Sequence, residues 1–184
     1  KLEVTAADGK TQTVEAKHII IATGGRSREL PAMKIDGKKI IGYREAMVLP
    51  QMPKSMIVVG SGAIGVEFAY FYNSMGTKVT IVEFLPRIVP IEDEEISKEL
   101  EKQYKKNGID VMTSSEVTSV DTSGSGVKAK VKTAGGEVTL EADVLLSAVG
   151  VSANIEGIGL ETLGVKTDKG RIMVDKYGQT NIPG

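Results

Sequence analysis

The fold of this chain is decided by a glycine-rich stretch at residues 58–68, which reads VVGSGAIGVEF. Gly60, Gly62 and Gly65 give the stretch the spacing G-x-G-x-x-G. It overlaps the end of an apolar run from Ser55 to Val59, which predicts a short buried strand. A glycine motif of this kind is informative only in its context, and the residues that follow supply that context.

A helix and a second strand are predicted directly after the glycines. Residues 63–74 carry apolar side chains at helical intervals, and Gly76 suits the end of a helix. Val79 to Val82 is apolar and predicts a strand. Strand, helix and strand in this order predict a parallel β-α-β unit of a Rossmann-like α/β domain.

The three glycines have distinct predicted roles in such a unit. Gly60 permits the tight turn, Gly62 lets a pyrophosphate approach the backbone, and Gly65 lets the helix pack closely on the strand. Free N–H groups at the start of the helix favour bound phosphate. A packing turn that holds no ligand is the alternative. The candidate cofactor-binding residues of the motif are Gly60, Ser61, Gly62, Ala63, Ile64 and Gly65.

An acidic residue stands at the end of the second predicted strand. Glu83 lies 23 residues after Gly60, close to the spacing of about 20 expected for the acid that binds the adenosine ribose. A carboxylate there repels a 2′-phosphate, so we expect NAD(H) rather than NADP(H). Arg87 lies four residues later and keeps NADP(H) open, and a solvated acid at a strand end is the alternative for Glu83.

A second helix and a third strand complete the predicted parallel sheet. Asp93 has the character of a helix N-cap, and the predicted helix ends near Gly108. Residues 109–112 follow as a strand. The acidic run at residues 92–95 is interpreted as helix-start charge, and no metal site is predicted.

Two hairpin patterns occur 126 positions apart. The first runs through residues 2–16 and leads into a predicted buried strand at His18 to Gly24, and the second spans Val127 to Gly150. Five identities fall in the twelve positions from residue 13 to residue 24. Two similar hairpins could arise by chance, or each copy could close one nucleotide-binding domain.

The composition excludes several classes of function. The chain has 184 residues and a formal net charge of -1, which excludes a broad basic surface for nucleic acid. It has no cysteine, which excludes disulfide and thiolate chemistry within these residues. No apolar run approaches the roughly 20 residues of a membrane span. We expect a cytoplasmic protein that binds neither nucleic acid nor membrane.

Four segments of the chain are distinctive when taken together. They are IIIATGGRSRELP at 19–31, MIVVGSGAIGVEFAYFYNSMGTKVTIVEFLPRIVP at 56–90, DVLLSAVGVSANIEGIGLE at 143–161 and GRIMVDKYGQTNIPG at 170–184. With these segments the chain resembles the pyridine nucleotide-disulfide oxidoreductases. The resemblance runs in order over almost the whole chain. It departs from the family at residues 150–154, GVSAN, where many relatives have G-R-x-P-N.

The resemblance implies two nested nucleotide-binding domains. Residues 1–25 would be the tail of an FAD-binding domain, residues 26–150 the NAD-binding domain, and residues 151–184 the return segment to the FAD-binding domain. The expected fold class is α/β, with a Rossmann-like parallel sheet, an added antiparallel β-meander and flanking segments of the second domain. Residues 1–24 and 151–184 would pair with each other, remain mobile or exchange between chains.

The resemblance also implies further binding residues. Thr23, Gly24 and Gly25 would lie beside FAD, Gly150 beside NAD, and Val117 beside the adenosine half of NAD. Turn glycines and a core valine are the alternative interpretation.

Two helix-start positions complete the implied site. Ala63 would border the nicotinamide pocket. Glu67 would lie near the junction of nicotinamide and flavin, or it is only a helix-start acid.

The function implied is that of the NAD(H)-binding part of a flavoprotein that oxidises dihydrolipoamide through FAD and a redox disulfide. The parent would be a homodimer within a 2-oxo acid dehydrogenase complex, and FAD would bind only in the full-length parent. No catalytic residue is assigned within this chain, which we expect to be inactive by itself. The alternatives are part of an NADH oxidase or peroxidase of the same family, and a stand-alone NAD(H)-binding module.

Overall fold

The computed structural model describes residues 1–184, which form two compact units. The central unit comprises Ser27–Val151, and the flanking unit comprises Lys1–Arg26 together with Ser152–Gly184. The helices are α1 Tyr43–Ala46, α2 Ala63–Ser74 and α3 Glu94–Lys106. The strands are β1 Leu2–Thr5, β2 Thr11–Val14, β3 Gly25–Ser27, β4 Ile40–Ile41, β5 Ser55–Val59, β6 Lys78–Val82, β7 Asp110–Met112, β8 Glu116–Asp121, β9 Val127–Thr133, β10 Gly136–Ala142, β11 Val144–Ser147, β12 Val151–Ala153, β13 Thr167–Asp168 and β14 Arg171–Ile172.

A five-stranded sheet in the order β4-β11-β5-β6-β7 forms the middle of the central unit. Every neighbouring pair in it is parallel. Strand β5, helix α2 and strand β6 follow one another as the sequence predicts, so the β-α-β unit around the glycine motif is confirmed. The carboxyl ends of all five strands meet at one edge, and this edge carries the glycine turn.

Both faces of the parallel sheet are buried, which explains the apolar runs in its central strands β5 and β11. Alternate residues of a strand point to opposite faces. Met56 and Val58 pack in a cluster with Tyr72 of α2, whereas Ile57 and Val59 pack in a second cluster with Val131 of β9. Burying a side chain of this size contributes roughly 1.5–3 kcal/mol, so the sheet is the main apolar core of the unit.

An antiparallel meander of β8, β9 and β10 covers the second face of the sheet. Alternate residues of β9 are buried, including Ala129 and Val131, while its lysines are exposed. Lys128 and Lys130 form cross-strand ion pairs with Glu141 and Glu137 at 2.8 and 3.4 Å. The predicted alternation of the second hairpin is therefore confirmed.

Helix α3 begins and ends as the sequence predicts. The carboxylate of Asp93 accepts a hydrogen bond from the backbone N–H of Glu95 at 2.8 Å, which identifies Asp93 as the N-cap. Gly108 has a φ of +83°, a conformation that glycine adopts at little cost after a helix end.

None of the three helices has the length and apolar character that a membrane crossing requires.

The flanking unit contains one confirmed prediction and one that is wrong. Strands β1 and β2 form the predicted hairpin. Residues 18–24, predicted as a buried strand, form no strand, and Ile20 is 90% exposed. A strand needs a neighbour for its backbone hydrogen bonds, and this segment has only isolated ones, such as that from Ile19 N–H to the carbonyl of Gly184 at 2.6 Å.

The two sequence segments of the flanking unit also pair at a second point. The backbone N–H of Asn154 donates to the carbonyl of Gly24 at 3.0 Å. The sequence leaves open whether residues 1–24 and 151–184 pair with each other, remain mobile or exchange between chains. In the structure the two segments pair with each other.

Replacement of Ser147 by alanine should not destabilise the protein. The hydroxyl of Ser147 is buried at the end of β11 and has no hydrogen-bond partner, and such a group costs about 1–3 kcal/mol. We expect Ser147→Ala to leave the free energy of unfolding unchanged or to raise it by about 1 kcal/mol in urea denaturation. The control is Ser97→Ala, which removes a buried hydroxyl that donates to the carbonyl of Val89 at 3.3 Å and should lower stability. A greater loss in Ser147→Ala than in Ser97→Ala would contradict the prediction.

Candidate functional site

The glycine turn at the carboxyl end of β5 requires glycine at its first position. Gly60 has a φ of +94°, and a Cβ there would lie 2.6 Å from the carbonyl oxygen of Ala148. Its N–H donates to the carbonyl of Val82 at 2.9 Å. The turn is thus pressed between the ends of β6 and β11, and no side chain fits.

Helix α2 approaches the turn so closely that its third residue must also be glycine. A Cβ on Gly65 would lie 2.0 Å from the carbonyl oxygen of Gly60 and 3.4 Å from the Cβ of Ala148. Gly65 is buried and Val66 packs in the core just beyond it. This is the close packing of helix on strand that the spacing predicts.

Gly62 differs from the other two motif glycines because it faces open space. It is the N-cap of α2, and nothing lies within 4 Å of where its Cβ would be. No side chain caps the helix. Ala63 is exposed and Ile64 is partly buried, so the first turn of a twelve-residue helix is open to an approaching group. The N–H groups of a first turn lack intrahelical partners, and they favour an anion.

Glu83, directly after β6, is buried and faces the glycine turn. It is only 6% exposed, so the alternative of a solvated acid is wrong. Its Oε2 accepts hydrogen bonds from the N–H and the hydroxyl of Ser61 at 2.8 and 2.6 Å, and its Oε1 accepts one from the N–H of Leu85 at 2.8 Å. A carboxylate has about four lone-pair positions, so one of them is left on Oε1.

Ser61 points inward rather than toward the open side of the turn. It has no exposed surface, and both of its donors are directed at Glu83. Its carbonyl accepts the N–H of Val89 at 2.9 Å, and Val89 has a φ of +39°, which is unusual for a β-branched residue. The loop after β6 is therefore fastened to the glycine turn at two points.

Arg87 is directed at the start of α3. Its Nη2 donates to the carbonyl of Pro90 at 2.9 Å, and its Nη1 lies 4.0 Å from a carboxylate oxygen of Glu94. The guanidinium is thus engaged with the loop and with helix α3.

Gly150 comes close to the glycine turn through the end of β11. The N–H of Ala148, two residues earlier, donates to the carbonyl of Val59 at 2.8 Å. Gly150 has a φ of +117°, is exposed, and has no atom within 4 Å of where a Cβ would be. The structure therefore brings this predicted residue to the same sheet edge as Gly60 and Gly62.

Val117 and Glu67 lie in different surroundings. The side chain of Val117 is buried in the meander-side cluster, as the core-valine alternative expects, and any ligand contact would use its backbone. Glu67 is exposed on the second turn of α2, and its carboxylate makes no hydrogen bond or ion pair. Burial raises the pKa of the Tyr104 hydroxyl, and the negative charge of Glu67 adds to this rise.

A separate polar cluster in the flanking unit holds the predicted FAD-contacting residues Thr23 and Gly24. The side-chain amide of Asn154 donates to the carbonyl of Thr23 at 3.2 Å, and the backbone N–H of Asn154 donates to the carbonyl of Gly24 at 3.0 Å. Arg26 donates to the side-chain oxygen of Asn154 at 3.0 Å and to both carboxylate oxygens of Glu156 at 2.8 and 3.1 Å. Gly25 begins β3 next to this cluster.

Sequence reasoning missed Arg26 and Glu156. They stand 130 positions apart, and no spacing rule relates residues at that distance. Only the departure from the family pattern at residues 150–154 draws attention to this region.

Comparison with known proteins identifies the family of the chain. The sequence profile described as Pyridine nucleotide-disulphide oxidoreductase matches residues 1–184, the whole chain. The chain belongs to the pyridine nucleotide-disulphide oxidoreductase family. The resemblance inferred from the sequence is therefore confirmed.

Curated members of this family share half or nearly half of the residues with the chain. A dihydrolipoyl dehydrogenase of Rhizobium etli is 53% identical over 94% of the chain, and one of Chlorobaculum tepidum is 48% identical over 98%. The chain spans only 36% and 39% of the length of these two relatives.

Solved structures of the family share the fold. The crystal structure of LpdA from Mycobacterium tuberculosis has a TM-score of 0.86 and 33% identity, and it matches 97% of the chain and 39% of its own length. An NAD-dependent persulfide reductase from A. fulgidus has a TM-score of 0.83 and 26% identity, over 98% of the chain and 34% of its own length. The expected α/β fold, with a parallel sheet and antiparallel strands, is confirmed.

The motif glycines should respond differently to alanine because their surroundings differ. Gly65→Ala forces a Cβ against the carbonyl of Gly60 and should lower the free energy of unfolding by about 3 kcal/mol. Gly62→Ala meets open space and should cost about 1 kcal/mol or less, the usual effect of replacing an N-cap glycine by alanine. Urea denaturation measures both. Equal losses in the two variants would show that the close approach of α2 is not as described.

The carboxyl of Glu156 should titrate far below its usual range. The hydrogen bonds from Arg26 are the main cause that lowers its pKa from 4.5 to about 2. The Arg26–Glu156 pair therefore stabilises the folded state fully at a pH above the unfolded-state pKa of Glu156, about 4.5. This stabilisation is lost as the pH falls through the folded-state pKa of about 2. NMR titration of the carboxyl carbon measures the pKa directly.

The matched variants for this titration are Arg26→Gln and Lys128→Gln. The first should return the pKa of Glu156 toward 4.5, because it removes the positive partner. The second breaks the equally exposed Lys128–Glu141 pair in the central unit and should leave Glu156 unchanged. An unchanged pKa in Arg26→Gln would contradict the assignment of the cause.

Proposed function

We propose that the chain is the NAD(H)-binding part of an FAD-dependent dihydrolipoyl dehydrogenase. The observation that carries this is the sheet edge where the open N-terminus of α2, beginning at Gly62, lies beside the buried carboxylate of Glu83. An exposed helix start suits a pyrophosphate, and an acid at the end of the next strand suits the ribose hydroxyls. The identities of 53% and 48% to dihydrolipoyl dehydrogenases favour this enzyme over others with the same fold.

The central unit would hold NAD(H). The pyrophosphate would lie over Gly62, Ala63 and Ile64 at the open start of α2, while Gly60 forms the turn beside it and Gly65 keeps the helix in place. The remaining lone pair of Glu83 would accept a hydrogen bond from a hydroxyl of the adenosine ribose. Backbone atoms at Val117 and Gly150 would border the nucleotide, and Glu67 at the surface of α2 would lie toward the nicotinamide.

The preference for NAD(H) over NADP(H) would follow from two charged residues. The carboxylate of Glu83 would repel a 2′-phosphate. Arg87 would give such a phosphate no help, because its guanidinium is already bonded to Pro90 and faces Glu94. This arrangement supports NAD(H) even though an arginine follows the acid.

The flanking unit would belong to the FAD-binding domain. Its segments, Lys1–Arg26 and Ser152–Gly184, differ by one residue at each boundary from the domain segments inferred from the sequence, which supports that division. Thr23 and Gly24 are exposed, while their carbonyls are held by Asn154, so the outer side of this turn fits a contact with FAD. Gly25 would complete the contact.

In the parent enzyme, electrons from dihydrolipoamide would reach NAD+ through a disulfide and FAD. When bound, FAD and NAD supply the hydride chemistry. The residues of this chain would bind and orient the two nucleotides, and none of them would react. No cysteine occurs among these residues, so the chain by itself would bind NAD(H) without turning over dihydrolipoamide. The parent would be a cytoplasmic homodimer within a 2-oxo acid dehydrogenase complex.

Calorimetric titration with NADH and with NADPH tests the proposal. We expect NADH to bind at least about tenfold more tightly, a difference of about 1.4 kcal/mol. Glu83→Ala should weaken NADH binding and narrow this ratio, because it removes both the ribose acceptor and the repulsion of the 2′-phosphate. Gly62→Ala should weaken both ligands alike, because its Cβ stands where the pyrophosphate would approach.

Two controls make the Glu83 result interpretable. Glu83→Ala leaves the donors of Ser61 and Leu85 unpaired and should cost about 1–3 kcal/mol of stability, so thermal unfolding must show that the variant is folded at the titration temperature. Glu92→Ala removes an exposed acid of the same loop and should leave the ratio unchanged. No binding of NADH to the wild type, or an unchanged ratio in folded Glu83→Ala, would overturn the proposal.

A further inference from the structure

Ser61 is the one residue of the glycine turn whose side chain bonds to the candidate ribose acid. Its hydroxyl donates to Oε2 of Glu83 at 2.6 Å, and its N–H donates to the same oxygen at 2.8 Å. A hydrogen bond from a hydroxyl to a carboxylate at this distance is charge-assisted and stronger than a neutral one. Two donors from one residue therefore hold one carboxylate oxygen.

The burial of Ser61 excludes it as a direct contact for a nucleotide in this conformation. The residue has no exposed surface, and its carbonyl is also occupied, by the N–H of Val89 at 2.9 Å. Every polar atom of Ser61 is thus bonded within the protein. Any effect of this side chain on a ligand must pass through Glu83.

The two oxygens of Glu83 are consequently not equivalent. Oε2 receives both donors of Ser61, whereas Oε1 receives only the N–H of Leu85 and keeps a free lone pair. Without the Ser61 hydroxyl, the carboxylate would be held by two backbone N–H groups alone and could rotate about its terminal bond, which is a soft torsion. The hydroxyl adds a third hydrogen bond, which holds the plane of the carboxylate and so the direction of its free lone pair.

We propose that Ser61 is a positioning residue that sets the specificity of the adenosine ribose site by holding the Glu83 carboxylate in one orientation. The proposal rests on the proposed function, because it requires Glu83 to bind the ribose. It replaces the prediction that Ser61 contacts the cofactor itself. The expected consequence is a specific loss of recognition of the 2′-hydroxyl when the Ser61 hydroxyl is removed.

Ser61→Ala tests the proposal, since it removes the hydroxyl and keeps the backbone N–H. The ligands are ADP-ribose and its analogue lacking the 2′-hydroxyl of the adenosine ribose, with NADH and NADPH as a second pair. We expect Ser61→Ala to weaken the binding of ADP-ribose and of NADH about fivefold, the effect of one lost hydrogen bond. The affinities for the 2′-deoxy analogue and for NADPH should change less than about twofold. Calorimetry gives all four dissociation constants.

The matched control is Thr77→Val, which also removes a buried hydroxyl. Thr77 is 2% exposed, stands just before β6 at the opposite edge of the sheet, and donates to the carbonyl of Pro53 at 2.7 Å. This variant should lose stability and keep all four affinities. If Ser61→Ala does not fold, Ser61→Cys fills the same site with a weak donor and should show the same selective loss.

The outcomes separate this proposal from the proposed function. Unchanged ligand affinities in Ser61→Ala, with a wild type that still prefers NADH and the 2′-hydroxyl, would overturn the role of Ser61 alone. Equal weakening of ADP-ribose and its 2′-deoxy analogue would also overturn it, because Ser61 would then support the whole turn. A wild type that does not distinguish the two analogues would overturn the ribose role of Glu83 and this proposal with it.

Discussion

The close approach of helix α2 to the glycine turn is the constraint on which the rest of the central unit depends. A Cβ on Gly65 would lie 2.0 Å from the carbonyl of Gly60, and one on Gly60 would lie 2.6 Å from the carbonyl of Ala148. Helix, turn and β11 are therefore in backbone contact. This contact aims the start of α2 across the sheet edge and brings Glu83 within reach of the turn, so the same packing that stabilises the core also builds the candidate site.

The sequence predicts those elements whose pattern is local. The strand before Gly60, helix α2 and the N-cap at Asp93 are all found where the patterns place them, because periodicity and capping act within a few residues. The predicted strand at residues 18–24 failed because a strand depends on a neighbour, and apolar residues alone do not supply one.

The sequence does not predict how the side chains of the site are oriented. The position of Glu83 followed from its spacing to Gly60, but its burial and its bonds to Ser61 depend on how the loop after β6 folds back. The Arg26–Glu156 pair joins residues 130 positions apart. Such contacts are set by tertiary packing. No fixed spacing in the sequence identifies them.

The division of the chain has a consequence for the order in which it folds during synthesis. The central unit is one continuous segment, Ser27–Val151, so all its contacts can form once that segment has left the ribosome. The flanking unit joins Lys1–Arg26 to Ser152–Gly184, so the contacts between these two segments can form only after the second segment has been made. Sequence-distant closure of this kind is slow and leaves apolar surface open to chaperones or aggregation in the interval.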